Sequence, residues 1–121
     1  MKEQFTHEEV SRRMRCDIES LLNMKPEENR HWQLTKLDLM EMIHAVYLQG
    51  NVYDELGRPA TFLWMVRRIC ANLHIPVPHN PRSMVSKSLL RKGVRQRRFV
   101  ERYAWMLSHR QEENLLQIFI H

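Results

Sequence analysis

The sequence predicts a mainly α fold of about five helices, helix-turn-helix or winged-helix-like, with at most a small two-stranded ribbon. Three observations lead there. Glycine and proline number only three and five in 121 residues, so few positions interrupt a helix. Apolar residues recur at steps of three and four along most of the chain. Thr6, Thr35 and Asn80 each stand just ahead of such a run, where a helix needs a side-chain oxygen to take up its first free amides.

The first helix is expected from Thr6. Thr6 and Glu9 fit a capping box, and Val10, Met14, Ile18 and Leu21 or Leu22 form one apolar face. Residues 23–30 read as a polar break holding Pro26. Trp32 and Leu34 share one side of an extended segment, a candidate short strand. A second helix follows Thr35 through Leu37, Met40, Ile43 or His44, and Tyr47, and closes at Gly50. Residues 51–59 form a loop, with a second short strand at Val52-Tyr53 that would pair with the first as a wing-like ribbon.

The third helix starts at Thr61 and buries Phe62, Met65 or Val66, Ile69 and Leu73. Pro76 and Pro78 then hold the chain extended. Asn80 as cap and Pro81 at the first helical position open a fourth helix with Met84, Val85, Leu89 and Leu90 inward. Gly93 interrupts it. The fifth helix is expected over about 95–109, with Phe99 or Val100, Tyr103, and Met106 or Leu107 inside. The apolar tail Leu115–Ile120 has no assignable partner in the sequence. One domain of this length buries a core without staples. Within it, 1–30 reads as an N-terminal helical extension, 31–110 as the functional core and 111–121 as a tail.

Charge separates the two halves. Residues 1–60 carry 8 Lys and Arg against 11 Asp and Glu, net −3; residues 61–121 carry 11 against 3, net +8. The basic half would attract a polyanion. The stretch Arg91-Lys-Gly-Val-Arg-Gln-Arg-Arg-Phe-Val-Glu-Arg102 concentrates that charge. Arg95, Arg98 and Arg102 fall on one stripe of the fifth helix, where like charges repel by a few tenths of a kcal/mol per pair unless something negative relieves them. The third and fourth helices have the order of a helix-turn-helix, with the fourth entering the major groove of double-stranded DNA. The candidate DNA-binding residues are therefore Arg82, Ser83, Ser86, Lys87, Arg91, Lys92, Arg95, Arg97, Arg98 and Arg102. Arg82, Ser83, Ser86 and Lys87 are placed to enter the groove, with Arg82 and Lys87 the expected base readers, and the Arg91–Arg102 stretch, helped by Arg82 and Lys87, supplies phosphate contacts.

Two segments, Trp32 with Thr35–Val52 and Arg91–Tyr103, resemble the C-terminal domain of the RteC regulators. Trp32 matches that family's tryptophan, Leu39 and Glu41 its Leu-x-Glu, Ala45 its alanine and Gly50 its closing glycine. Arg95, Arg98 and Phe99 lie in its late basic segment. His44 stands where a tyrosine is common, Gln96-Arg97-Arg98 replaces a threonine-bearing segment, and Gly93 adds a break. The similarity covers about 32–110. It implies a winged-helix DNA-binding domain, duplex DNA as ligand, and control of the transcription of conjugative-transposon genes.

Other chemistries have little support. Cys70, His74 and His79 are the densest candidate ligands, but Pro76 and Pro78 separate the last two and a fourth ligand is missing. Asp38, Glu41 and His44 recur along the second helix without a nucleophile, and Glu41 is expected in a structural salt bridge to a basic helix. No phosphate-binding glycine loop and no His-Glu-x-x-His are present. The expectation is no enzyme, no cofactor, no metal and no small-molecule substrate. Two cysteines make no disulfide framework and are expected buried, which suits a reducing cytoplasmic setting. No segment reads as a membrane span or secretory leader. Trp105 is the aromatic residue best placed to rim an interface. The rival functions are a small helical protein–protein module without a nucleic-acid role, and an RNA-binding accessory; a homodimer would suit a palindromic site.

Overall fold

The computed structural model describes residues 6–91, 98–110 and 115–121. Among them are six α-helices: α1 (His7–Asn23), α2 (Lys36–Gln49), α3 (Phe62–Asn72), α4 (Pro81–Arg91), α5 (Phe99–Arg110) and α6 (Leu116–Phe119). The chain is all-α, with a single 3-10 turn at Pro26–Glu28 and no strand among the described residues.

The helix starts follow the capping residues. Thr6, Thr35 and Thr61 accept from the amides of Glu9, Asp38 and Trp64 at 3.1–3.2 Å, and Asn80 Oδ1 accepts from the Ser83 amide at 3.1 Å. Gly50 ends α2 with φ +76°, a left-handed turn that a side chain would strain. α3 ends in the same way, but with His74 at φ +60° in the position glycine usually takes. Its Nε2 lies 2.8 Å from the Pro26 carbonyl oxygen and its ring faces His31, contacts that offset the backbone cost.

Helix α2 is the axle of the fold. Its residues 38–43 are buried without a break, which requires neighbours on every side, and α1, α3, α4 and α5 all pack on it. Val10, Met14, Ile18, Leu21 and Leu22 of α1 belong to the same core as Leu39, Met40 and Ile43 of α2. The N-terminal helix is therefore part of the packed body. Two side chains of α3 bind it further: buried Asn72 Nδ2 donates to the Leu21 and Leu22 carbonyls at 2.9 and 3.2 Å, and Arg68 Nε to Leu22 at 2.9 Å. These take up the carbonyls that the end of α1 leaves free.

The tail has a partner after all. The His31 and His121 backbones exchange hydrogen bonds at 2.9 and 3.0 Å, and the Gln33 amide donates to Phe119 at 2.7 Å. This antiparallel bridge, Trp32 to Ile120, replaces the expected pairing of Trp32 with Val52; Tyr53 bridges to Pro59 within its own loop instead. Phe119 is fully buried against Trp32, Phe99 and Tyr103, at ring distances of 5.5–6.2 Å. Other corrections concern single residues. Leu90, expected inside, is 82% exposed, because α4 turns Pro81, Val85 and Ser88 inward. Cys16 is exposed, on the outer side of α1. The last long helix begins at Phe99 rather than near residue 95.

A polar pair joins α5 to α1. Tyr103 of α5 donates to Asp17 Oδ2 of α1 at 2.6 Å. Burial raises the Asp17 carboxyl above its usual 3.8, against the downward pull of that hydrogen bond and of Arg13. A raised folded value means that the folded state binds this proton more tightly than the unfolded chain. Its contribution to stability is thus present below about pH 3.8 and lost as pH rises through the folded value. Asp17→Asn keeps an acceptor for Tyr103 without the charge. In urea titrations it should match or exceed the wild type at pH 7, and gain on it between about pH 4 and 7. Tyr103→Phe should cost about 1–3 kcal/mol at pH 7.

Candidate nucleic-acid interface

Helix α4 is built for two environments. Pro81, Val85 and Ser88 recur at steps of four and three and face α2, so Arg82, Ser86, Lys87 and Leu90 are left exposed, with Ser83 half-buried at the edge. The helix contains no acidic residue, and between Glu55 and Glu101 the chain has ten Lys and Arg and no Asp or Glu. The outer face of α4 thus brings Arg82, Ser86 and Lys87 together, and Arg98 is exposed just ahead of α5. Lys92, Arg95 and Arg97 lie outside the described residues, as does the side chain of Arg91.

Arg102 has a different placement from the stripe that spacing suggests. It is ion-paired with the buried carboxylate of Asp38 on α2, and its guanidinium sits 5.5 Å from the Phe99 ring centre. Arg98 precedes α5 and is exposed, whereas Arg102 lies on α5 and turns toward Asp38 of α2. Part of the charge of Arg102 is therefore already spent within the fold.

Glu41, expected to tie α2 to a basic helix, reaches α4 and the start of α5 through hydrogen bonds. Its carboxylate is buried, accepts from the Ser88 hydroxyl of α4 at 2.7 Å, and accepts from the Phe99 amide at 3.3 Å. That amide is the first of α5, so a side chain of α2 caps another helix at its positive end. The sequence signal was the isolation of one carboxylate within Leu39-Met-Glu-Met-Ile43, an otherwise apolar run. Asp38 and Glu41, one turn apart, together fix how the basic half of the chain is held.

Arg82 is also held, but by rings. Its guanidinium carbon lies 5.7 Å from the Tyr47 ring centre and 5.8 Å from that of Phe62. His44, half-buried on α2, borders the same rings, meeting Phe62 edge-on at 5.3 Å and Tyr47 at 6.3 Å. Burial and, secondarily, the charge of Arg82 lower the pKa of His44 below 6.5.

Comparison with protein-family models, curated proteins and solved structures finds no match to this chain.

Two other regions complete the surface. Trp105 of α5 is 48% exposed and stacks on His109 at 4.3 Å. It borders an apolar groove of about 380 Å³ lined by Leu34, Met106, Ile118 and Phe119, with Arg102 at its side. Cys70 is fully buried in α3, where burial pushes its thiol up to about 11. Among the described residues no three His, Cys, Asp or Glu side chains are arranged to hold a metal ion, and no helix is long and apolar enough to cross a membrane.

Removing the Glu41 carboxylate should loosen α4 and α5 together. Glu41→Ala is expected to lower unfolding free energy by about 3 kcal/mol in urea titration, since it leaves a buried hydroxyl and a helix-start amide without their acceptor. Glu55→Ala, which breaks the exposed pair with Arg68, should change it by less than about 1 kcal/mol.

Proposed function

We propose that this protein binds duplex DNA through the outer face of α4 and the basic segment leading into α5. The observation that carries this is the exposed, acid-free side of α4, with Arg82, Ser86 and Lys87 turned to solvent and Arg98 exposed beyond it. A surface of that kind supplies phosphate contacts, while the first turns of an exposed helix reach base edges. We read α2, α3 and α4 as a helix-turn-helix unit in which α2 packs against both other helices and α4 is the recognition helix. The connection of residues 73–80 is longer than the tight turn such units often have. The resemblance to the RteC regulators extends the proposal to transcriptional control of mobile-element genes.

A second reading rests on the groove beside Trp105. Its apolar lining and half-exposed indole suit a protein partner or a second copy of the chain better than a polyanion. The two readings use different surfaces, so variants separate them. Arg95→Glu with Arg98→Glu should lower duplex affinity by roughly a hundredfold or more, since each site changes from attraction to repulsion, with the helical circular dichroism unchanged. Wild-type affinity in that variant would remove the assigned surface from consideration. Trp105→Ala should leave duplex binding within about twofold, because that side chain lies outside the proposed contact.

A further inference from the structure

Arg82 is a cation whose surroundings in the fold do not account for its charge. Among the described residues no carboxylate pairs with it; its guanidinium lies over Tyr47 and Phe62 instead. Two rings restrict a long side chain that would otherwise sample many rotamers, and they hold it at the start of α4 without neutralising it. The same two rings border His44. A guanidinium and an imidazole thus share one aromatic base at the junction of α2 and α4, a position where two positive charges repel unless an anion joins them.

We propose that Arg82 and His44 form a phosphate-diester site that seats one phosphate of the DNA backbone, with His44 taking up a proton as the phosphate arrives. This rests on the duplex-binding reading above and refines it: Arg82 positions the backbone, and base reading falls to residues farther along α4, Lys87 first. Guanidinium and imidazolium both donate hydrogen bonds to phosphate oxygens, and the imidazole does so with full charge only when protonated. Among the described residues, the other groups near His44 do not supply that anion. Glu41, one turn earlier on α2, directs its carboxylate to Ser88 and Phe99; α3 contributes the Phe62 ring; α4 contributes Arg82 itself. Free His44 is held neutral to lower pH by burial and by Arg82, so a phosphate between the two reverses the second influence.

The sign follows from linkage. A bound state with a higher His44 pKa than the free state binds more tightly as pH falls through the interval between the two. The test follows the His44 ring resonances of the full chain by NMR across pH 5–8, alone, with a random-sequence duplex, and with inorganic phosphate. Duplex affinity is measured in parallel at pH 5.5 and 7.5 for wild type, His44→Gln and Arg82→Gln. The duplex should raise the His44 midpoint by about half a unit or more, and wild type should gain about twofold or more in affinity on acidification relative to His44→Gln. Arg82→Gln should raise the free midpoint and abolish the duplex-induced shift. Inorganic phosphate should move the midpoint less than the duplex; an equal shift would mean a general phosphate site and overturn the backbone assignment. Duplex binding that leaves His44 unmoved, with equal pH dependence in wild type and His44→Gln, would overturn this inference alone. No duplex binding at either pH would overturn the DNA reading and the inference with it.

Discussion

The buried carboxylate of Glu41 governs how the two halves of this protein fit. Residues 38–43 of helix α2 are buried without a break, and a charge placed there costs several kcal/mol unless its oxygens are occupied. A hydroxyl of α4 and the first amide of α5 donate to those oxygens. One side chain therefore sets the position of α4 relative to α2 and the point at which α5 begins. Asp38, a turn earlier, adds the ion pair with Arg102. The acidic half of the chain holds its basic half through these two carboxylates, and the outer face of α4 is what that arrangement leaves exposed.

A second constraint comes from rings. Trp32, Phe99, Tyr103 and Phe119 converge from the α1–α2 connection, α5 and the C-terminal segment. Phe99 belongs to both systems: its amide meets Glu41 and its ring meets Trp32 and Phe119. Helix α5 is thus gripped at its first residue by a hydrogen bond and by aromatic packing, and the tail closes over it by bridging to residues 31–33. Segments remote in sequence, one before α2, one within it and one opening α5, thus touch through Trp32, Glu41 and Phe99.

Much of the helical order was legible because it is local. Capping oxygens, apolar steps of three and four, and the Gly50 stop depend on residues within a turn or two of each other. What sequence reasoning missed depends on contacts between distant segments. The tail's place required knowing that Trp32 had a free edge; spacing paired it with Val52, the nearer candidate. Arg102 joined Arg95 and Arg98 on a stripe because the helix was started too early, and its partner Asp38 lies 64 residues away. Leu90 was placed inside because its hydrophobicity was weighed above the register set by Pro81 and Val85. The cradle of Arg82 was invisible for the same reason, since Tyr47 and Phe62 come from two other helices.

The most direct test of the account is equilibrium binding of the protein to a fluorescent random-sequence duplex pool, titrated from about 50 to 200 mM salt. A surface making six to ten phosphate contacts loses roughly three to five orders of magnitude in affinity over that interval, and a steep linear fall of log affinity with log salt is the result expected. Weak binding at the lowest salt, or binding indifferent to salt, would contradict the assignment and leave the face of α4 a solvated surface.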